Sequence, residues 1–169
     1  VVKHPTNMGI GAALRNGYER ATMENVCAIP GDMQFDVKEL LPFSQVKEKQ
    51  IISFYRKENL QYSVFRNYLS LANKKLNAWL IGLKMRDVNW VKIYKLADLR
   101  KIDLRIKSSL VESEICAKMF HNGVTLKEVI SKYNQRNYGK SKGASWKIAW
   151  QAIFDLWALV REVKRYKKR

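Results

Sequence analysis

Hydrophobic and polar positions follow two periods along this chain. Val26-Cys27-Ala28-Ile29 is an apolar run cut off by Pro30-Gly31, and Gln50 to Tyr55 is a second run ending in Arg56; both suit buried strands. Arg86 to Tyr94 alternates in its second half like a half-buried strand. Helical spacing lies between these runs. Ala13, Gly17 and Ala21 recur every four residues after Asn7, a helix cap, and small residues on one face predict close packing on a sheet. Val37 to Val46 reads as a short helix. Lys57 to Lys84 becomes amphipathic, with Phe65, Leu69, Ala72, Leu76 and Leu80 at spacings of three and four. Ser109-x-x-Glu112 is a capping box for a helix through about Phe120, with Val111, Ile115 and Met119 inward and Gly123 ending it. Thr125 to Ser131 fits a helix start on Thr125-x-x-Glu128 or a strand on Val129-Ile130. This alternation predicts an α/β fold, a mostly parallel sheet with helices on its faces.

The C-terminal stretch has a different pattern. Ser145 can cap a helix in which Trp146, Ala149, Trp150, Ile153, Trp157 and Val160 form a stripe, opposite Lys147, Gln151 and Asp155. Five of the last seven residues are basic (Lys164, Arg165, Lys167, Lys168, Arg169). At about 25 Å from Ala144 to Val160, the helix is too short to span a bilayer comfortably. Two readings fit: it lies in the interface of an anionic membrane, or it packs on the domain's own core.

Charge narrows the class of partner. Thirty-two Lys and Arg against 15 Asp and Glu leave +17 on 169 residues, a field that attracts phosphates, nucleic acid or an anionic membrane surface. The 47% hydrophobic and 11% aromatic content argues against disorder. Cys27 and Cys116 have no zinc spacing and read as small buried hydrophobes in a reducing compartment. No secretory leader and no uninterrupted apolar run of about 20 residues is visible.

Candidate chemistry gathers where the first strand stops. Asp32 and Gln34 emerge from the Pro30-Gly31 turn, at the sheet edge where open α/β folds bind ligands. Two positions apart in extended backbone, both side chains point the same way and offer oxygens to one Mg2+ or Mn2+. A solvated turn that favours Asp and Gly is the plain alternative. Asn7-x-Gly9-x-Gly11 likewise fits close helix packing or a phosphate loop.

Three motifs in order carry a resemblance: Asn7-Met8-Gly9-Ile10-Gly11-Ala12-Ala13-Leu14-Arg15-Asn16-Gly17, Pro30-Gly31-Asp32-Met33-Gln34, and Arg136-Asn137-Tyr138-Gly139-Lys140-Ser141-Lys142. Together they resemble the signatures of family 2 glycosyltransferases of the dolichol-phosphate mannose synthase, or polyprenyl-phosphate sugar transferase, type. The resemblance implies a partial glycosyltransferase A-type fold. Residues 1–143 would be the C-terminal two-thirds of its catalytic domain, and residues 144–169 an amphipathic interfacial helix and basic tail. It implies transfer of a sugar from a nucleotide-diphospho-sugar to a polyprenyl phosphate at the cytosolic membrane face, with Mg2+ or Mn2+ as cofactor. By the same likeness Asp32 and Gln34 hold the metal, Pro30 standing where the family has its first Asp. Arg136, Ser141 and Lys142 hold the donor diphosphate, Arg56, Arg66 and Ser70 the acceptor phosphate, and Asp87 faces the reacting centre. A lipid phosphate is already ionised and needs no general base; a hydroxyl acceptor would, and Asp87 is placed for that. A basic nucleic-acid-binding module, with Tyr18, Tyr55, Tyr62 and Tyr138 as stacking platforms, is the rival class. It lacks any helix-turn-helix, zinc-finger or single-strand-binding signature, so no nucleic-acid partner is expected.

Overall fold

The computed structural model describes residues 3–56, 75, 78–108, 110–132, 134 and 146–168, with the backbone alone for 146–153. In chain order the elements are α1 (Gly9–Arg20), β1 (Asn25–Cys27), a 3-10 helix (Val37–Phe43), β2 (Gln50–Arg56), β3 (Lys92–Lys95), α2 (Leu96–Leu99), α3 (Val111–His121), β4 (Thr125–Ser131) and α4 (Trp146–Tyr166). Most of the amphipathic stretch expected over Lys57 to Lys84 lies outside the described residues; 78–81 are helical.

The strands form one sheet in the order β1-β3-β2-β4. β3 is antiparallel to both neighbours, whereas β2 and β4 are parallel, with Gln50 opposite Thr125 and Arg56 opposite Ser131. The fold is therefore α/β with a mixed sheet flanked by helices, which corrects the expected mostly parallel sheet. Three strands run one way, but β3 enters between two of them from the opposite direction. Local apolar patterns do not encode strand direction, and the long connection from Arg56 to Lys92 permits either sense.

Each sheet face covers its own core. On one side Ile51 and Tyr94 pack with Tyr18 of α1, Val111, Ile115 and Met119 of α3, and Leu159 and Val163 of α4. On the other side Ile52, Phe54, Trp90 and Ile93 pack with Phe35 and Val46, with Leu40 and Phe43 at the margin. Burial on both faces makes Trp90 through Tyr94 fully interior rather than half-buried. β1, expected to be buried, lies at the sheet margin and is half-buried. Thr125–Ser131 resolves as strand, since its seven residues pair with the whole of β2.

Several local expectations change in detail. The Val37 helix is 3-10 in form and ends at Phe43, with Pro42 inside it and the Asp36 carboxylate accepting from Lys38 N at 2.9 Å. The N-cap of α1 is Met8, without a side-chain cap bond, and not the expected Asn7, whose Oδ1 one residue earlier accepts the Gly9 N–H at 3.0 Å in a local turn. The inward face of α1 carries Gly11, Leu14 and Tyr18, while Ala13 and Gly17 are exposed. A Cβ on Gly11 would stand 2.1 Å from the Lys107 carbonyl oxygen, so close packing uses this glycine, against a loop rather than the sheet.

Candidate functional site

All three co-directional strands end on the same sheet edge, and β3 begins there. At that edge lie the Pro30–Phe35 turn after β1, Arg56 at the end of β2, Asp87 to Trp90 before β3, and Ser131 at the end of β4. The turn is joined to the β4 exit by the Asn134 N–H, which donates to the Gln34 carbonyl at 3.1 Å. Lys132 N also donates to the Glu39 carboxylate at 3.1 Å, so the chain leaving β4 is fastened beside the turn at two points.

Arg56 and Asp87 meet as a two-bond fork. Arg56 Nε donates to Asp87 Oδ2 at 2.7 Å and Nη2 to Oδ1 at 3.2 Å, with each side chain 16% exposed. Planar guanidinium and carboxylate match in this geometry, which fixes orientation as well as charge. Asp87 Oδ1 also accepts the Asn89 N–H at 3.3 Å. Both Asp87 oxygens are thus engaged, and the carboxylate orients the Arg56 guanidinium. The guanidinium lies over the Trp90 ring, 4.5 Å from its centroid. Trp90 Nε1 donates to Ser131 Oγ at 3.2 Å, and its ring meets Phe35 edge to face at 6.0 Å. Phe35 follows Gln34, so Trp90 connects the turn physically to the Arg56 fork.

The turn itself differs from the extended backbone that the two-residue spacing assumed. Met33 has φ 60°, in the left-handed region, and the Asp32 carboxylate accepts the Gln34 N–H at 3.3 Å. Asp32 and Gln34 are therefore neighbours across a tight turn, not alternate positions of a strand. Among the described residues no cluster of three or more His, Cys, Asp or Glu side chains is arranged to hold a metal. Arg66, Ser70, Arg136, Ser141 and Lys142 lie outside the described residues.

Beneath this edge is a charged network that the sequence reading missed. Glu112 receives Tyr18 OH at 2.6 Å on Oε1, and Lys92 Nζ at 3.0 Å and Tyr94 OH at 2.5 Å on Oε2. It turns into the core from α3; Ser109 of the expected capping box lies outside the described residues, and α3 has no side-chain cap bond from its N-cap, Leu110. Lys92 also donates to the Trp90 carbonyl at 2.8 Å, so the buried pair props up the residue under Arg56. Burial pushes the Glu112 carboxyl up, but the Lys92 charge and the three donated bonds outweigh this and hold it below the usual carboxylate range. Burial likewise pushes the Lys92 ammonium down, and the Glu112 charge with its bond holds it above the usual lysine range. Burial pushes the Cys27 and Cys116 thiols up to about 11, which suits small apolar side chains better than nucleophiles. A Lys inside an alternating strand was the one available signal for the network.

The C-terminal helix divides between the two expectations. Leu159 and Val163 are buried in the domain core, with Leu156 and Val160 against it, whereas Trp157 is exposed. Val160 and Trp157, placed together on one stripe by the sequence reading, thus face different surroundings. Among the described residues no helix is long and apolar enough to cross a membrane. No family model matches this chain, and no curated protein or solved structure matches it either.

Proposed function

We propose that this chain is part of a glycosyltransferase that moves a sugar from a nucleotide-diphospho-sugar to a polyprenyl phosphate at the cytosolic membrane face. The observation that carries the reading is the Arg56–Asp87 fork on Trp90, at the same sheet edge as the Asp32–Gln34 turn. Residues from four separate stretches of sequence share this edge, which supports a reading of Arg56 as an anion-binding group and of the turn as a source of oxygen ligands.

The chemistry follows from the groups present. An oxygen of the acceptor phosphate attacks the anomeric carbon of the sugar while the bond from that carbon to the donor diphosphate breaks, its electron pair leaving with the nucleotide diphosphate. No proton needs removing from an ionised phosphate, which agrees with an Asp87 whose oxygens are committed to Arg56 and Asn89. The fork holds the Arg56 guanidinium rigid, and an arriving phosphate competes with Asp87 for it. Mg2+ or Mn2+, held by Asp32 and Gln34 with diphosphate oxygens, would stabilise the leaving group. Arg136, Ser141 and Lys142 are proposed to neutralise the same diphosphate, and Arg66 and Ser70 to share the acceptor phosphate with Arg56. The glycosyltransferase A-type fold is part of this proposal.

The test measures donor and acceptor dependence separately, with nucleotide-sugars as donors and undecaprenyl phosphate as acceptor. Arg56→Ala should raise the acceptor requirement by about tenfold or more, the scale of one charge-assisted contact, and leave donor affinity nearly constant. Absence of Mn2+-dependent binding by any nucleotide-sugar would overturn the reading, as would an Arg56 variant that affects the donor alone.

A further inference from the structure

β2 ends in two residues, Tyr55 and Arg56, that point to opposite sheet faces, and the consecutive pair Arg86-Asp87 takes one each. Asp87 holds Arg56 on the Trp90 side. Arg86 goes to the other side, where its guanidinium lies over the Tyr55 ring, 4.6 Å from the centroid, and Nη1 donates to Tyr55 OH at 2.6 Å. Glu128 of β4 accepts the Arg86 backbone N–H at 2.6 Å and stands 3.5 Å from Nε, so it grips the backbone more closely than the charge. Arg86 Nη2 has no partner among the described residues, and the side chain is 60% exposed. A ring and a carboxylate therefore fix the root of a cation whose far end stands in water, and little conformational freedom is left to lose when an anion binds.

We infer that Arg86 is a specificity-determining residue, which with Arg56 makes this edge select a doubly charged phosphate monoester over a singly charged phosphodiester. The inference rests on the proposed acceptor role of Arg56 and adds what that site demands of its phosphate. Both guanidiniums are tied to the same two-residue end of β2, one on each face, so a ligand seated past the strand end meets a cation on either side. A terminal phosphate carries close to two charges above its second ionisation at about pH 6, whereas a diester carries one. Asp87 offsets the charge of Arg56 in the fork, so a second, solvent-facing guanidinium decides how strongly the extra ligand charge is felt. Such a filter suits a polyprenyl phosphate, a monoester that lies among phospholipid diesters. The titrating group is the ligand's own phosphate; among the described residues Arg86 is faced by Tyr55 and Glu128, with Asp87 next to it in the chain.

Calorimetric titration of the purified chain with dimethylallyl phosphate, and separately with its methyl diester, reads the selection without donor or turnover. At about pH 7.5 the parent should bind the monoester about tenfold or more tightly than the diester. Arg86→Gln should weaken the monoester by about tenfold and the diester by less than about twofold, and at about pH 5 the monoester loss should shrink to less than about threefold. Its melting temperature should match the parent, because the backbone N–H to Glu128 remains. Arg86→Lys keeps a point charge without the planar fork, so its monoester loss should fall between the two; it decides alone if Arg86→Gln fails to fold. An equal loss for both ligands, a loss that does not vary with pH, or no loss would overturn the inference. Mn2+-dependent nucleotide-sugar binding without monoester selection would overturn the inference alone. Selection that follows Arg86 in a chain binding no nucleotide-sugar would uphold it and overturn the sugar-transfer reading instead.

Discussion

Glu112–Lys92 and Asp87–Arg56 are both carboxylate–cation pairs attached to β3 or its entry, yet their surroundings give them different work. Glu112 is met by three donors, and its partner Lys92 is completely buried. Asp87 and Arg56 stand at the sheet edge with access to solvent on one side. In the interior every polar atom of the pair depends on the others, because water cannot replace a lost partner. At the rim a lost partner can be replaced by water or by an anionic ligand, which is what a binding group requires. The two pairs are coupled through Trp90, whose carbonyl receives Lys92 and whose ring carries Arg56.

The largest expected effect comes from opening the interior pair. Glu112→Ala leaves the Lys92 ammonium buried without its carboxylate and should cost about 3–5 kcal/mol in denaturant unfolding. A loss under about 1 kcal/mol would show that the network is not closed and would erase the contrast with the rim. Acid should reveal the same pair more gradually. Glu112 binds a proton less readily folded than unfolded, so its contribution is complete above the ordinary glutamate titration, at about pH 4.3, and is lost as pH falls through the lower folded value. Lys92 is held above its ordinary range, so its contribution is complete below about pH 10.4 and is lost as pH rises through the higher folded value. Urea midpoints of the parent should therefore fall more steeply in acid than those of Glu112→Gln; parallel curves would contradict the assignment.

The smallest effect belongs to the rim. Asp87→Asn removes the charge of the fork but keeps its shape, and unfolding free energy should fall by only about 1–2 kcal/mol. A loss as large as that of Glu112→Ala would make the rim pair structural and weaken its candidacy as a binding site.

How much of the site was legible follows the same division. Arg56 at the end of β2 and the Asp32 turn after β1 could be placed from apolar runs and Pro30-Gly31, since a strand's end is a local event. The fork could not, because Arg56 and Asp87 are separated by 31 residues and meet only because β3, which follows Asp87, runs antiparallel to β2. The core role of Glu112 was hidden for a related reason: Ser109-x-x-Glu112 satisfies a local rule for a helix start, while Tyr18, Lys92 and Tyr94 offer three donors from distant stretches. Met33 broke the metal-ligand spacing argument through one positive φ at a non-glycine residue, which residue spacing does not report.

The sequence by itself determined where β2 runs, that α3 turns Val111, Ile115 and Met119 inward, and that Gly123 ends it, because periodicity and turn chemistry act over a few neighbouring residues. It also determined the strong positive charge. Only the tertiary structure decided that β3 is antiparallel and buried on both faces, that Gly11 rather than Gly17 makes the close contact of α1, and that α4 turns Leu159 inward and Trp157 out. These outcomes depend on which distant surfaces meet. A side chain's choice between water, core and counter-charge is settled by the free energy of the whole assembly, and local pattern supplies only the candidates.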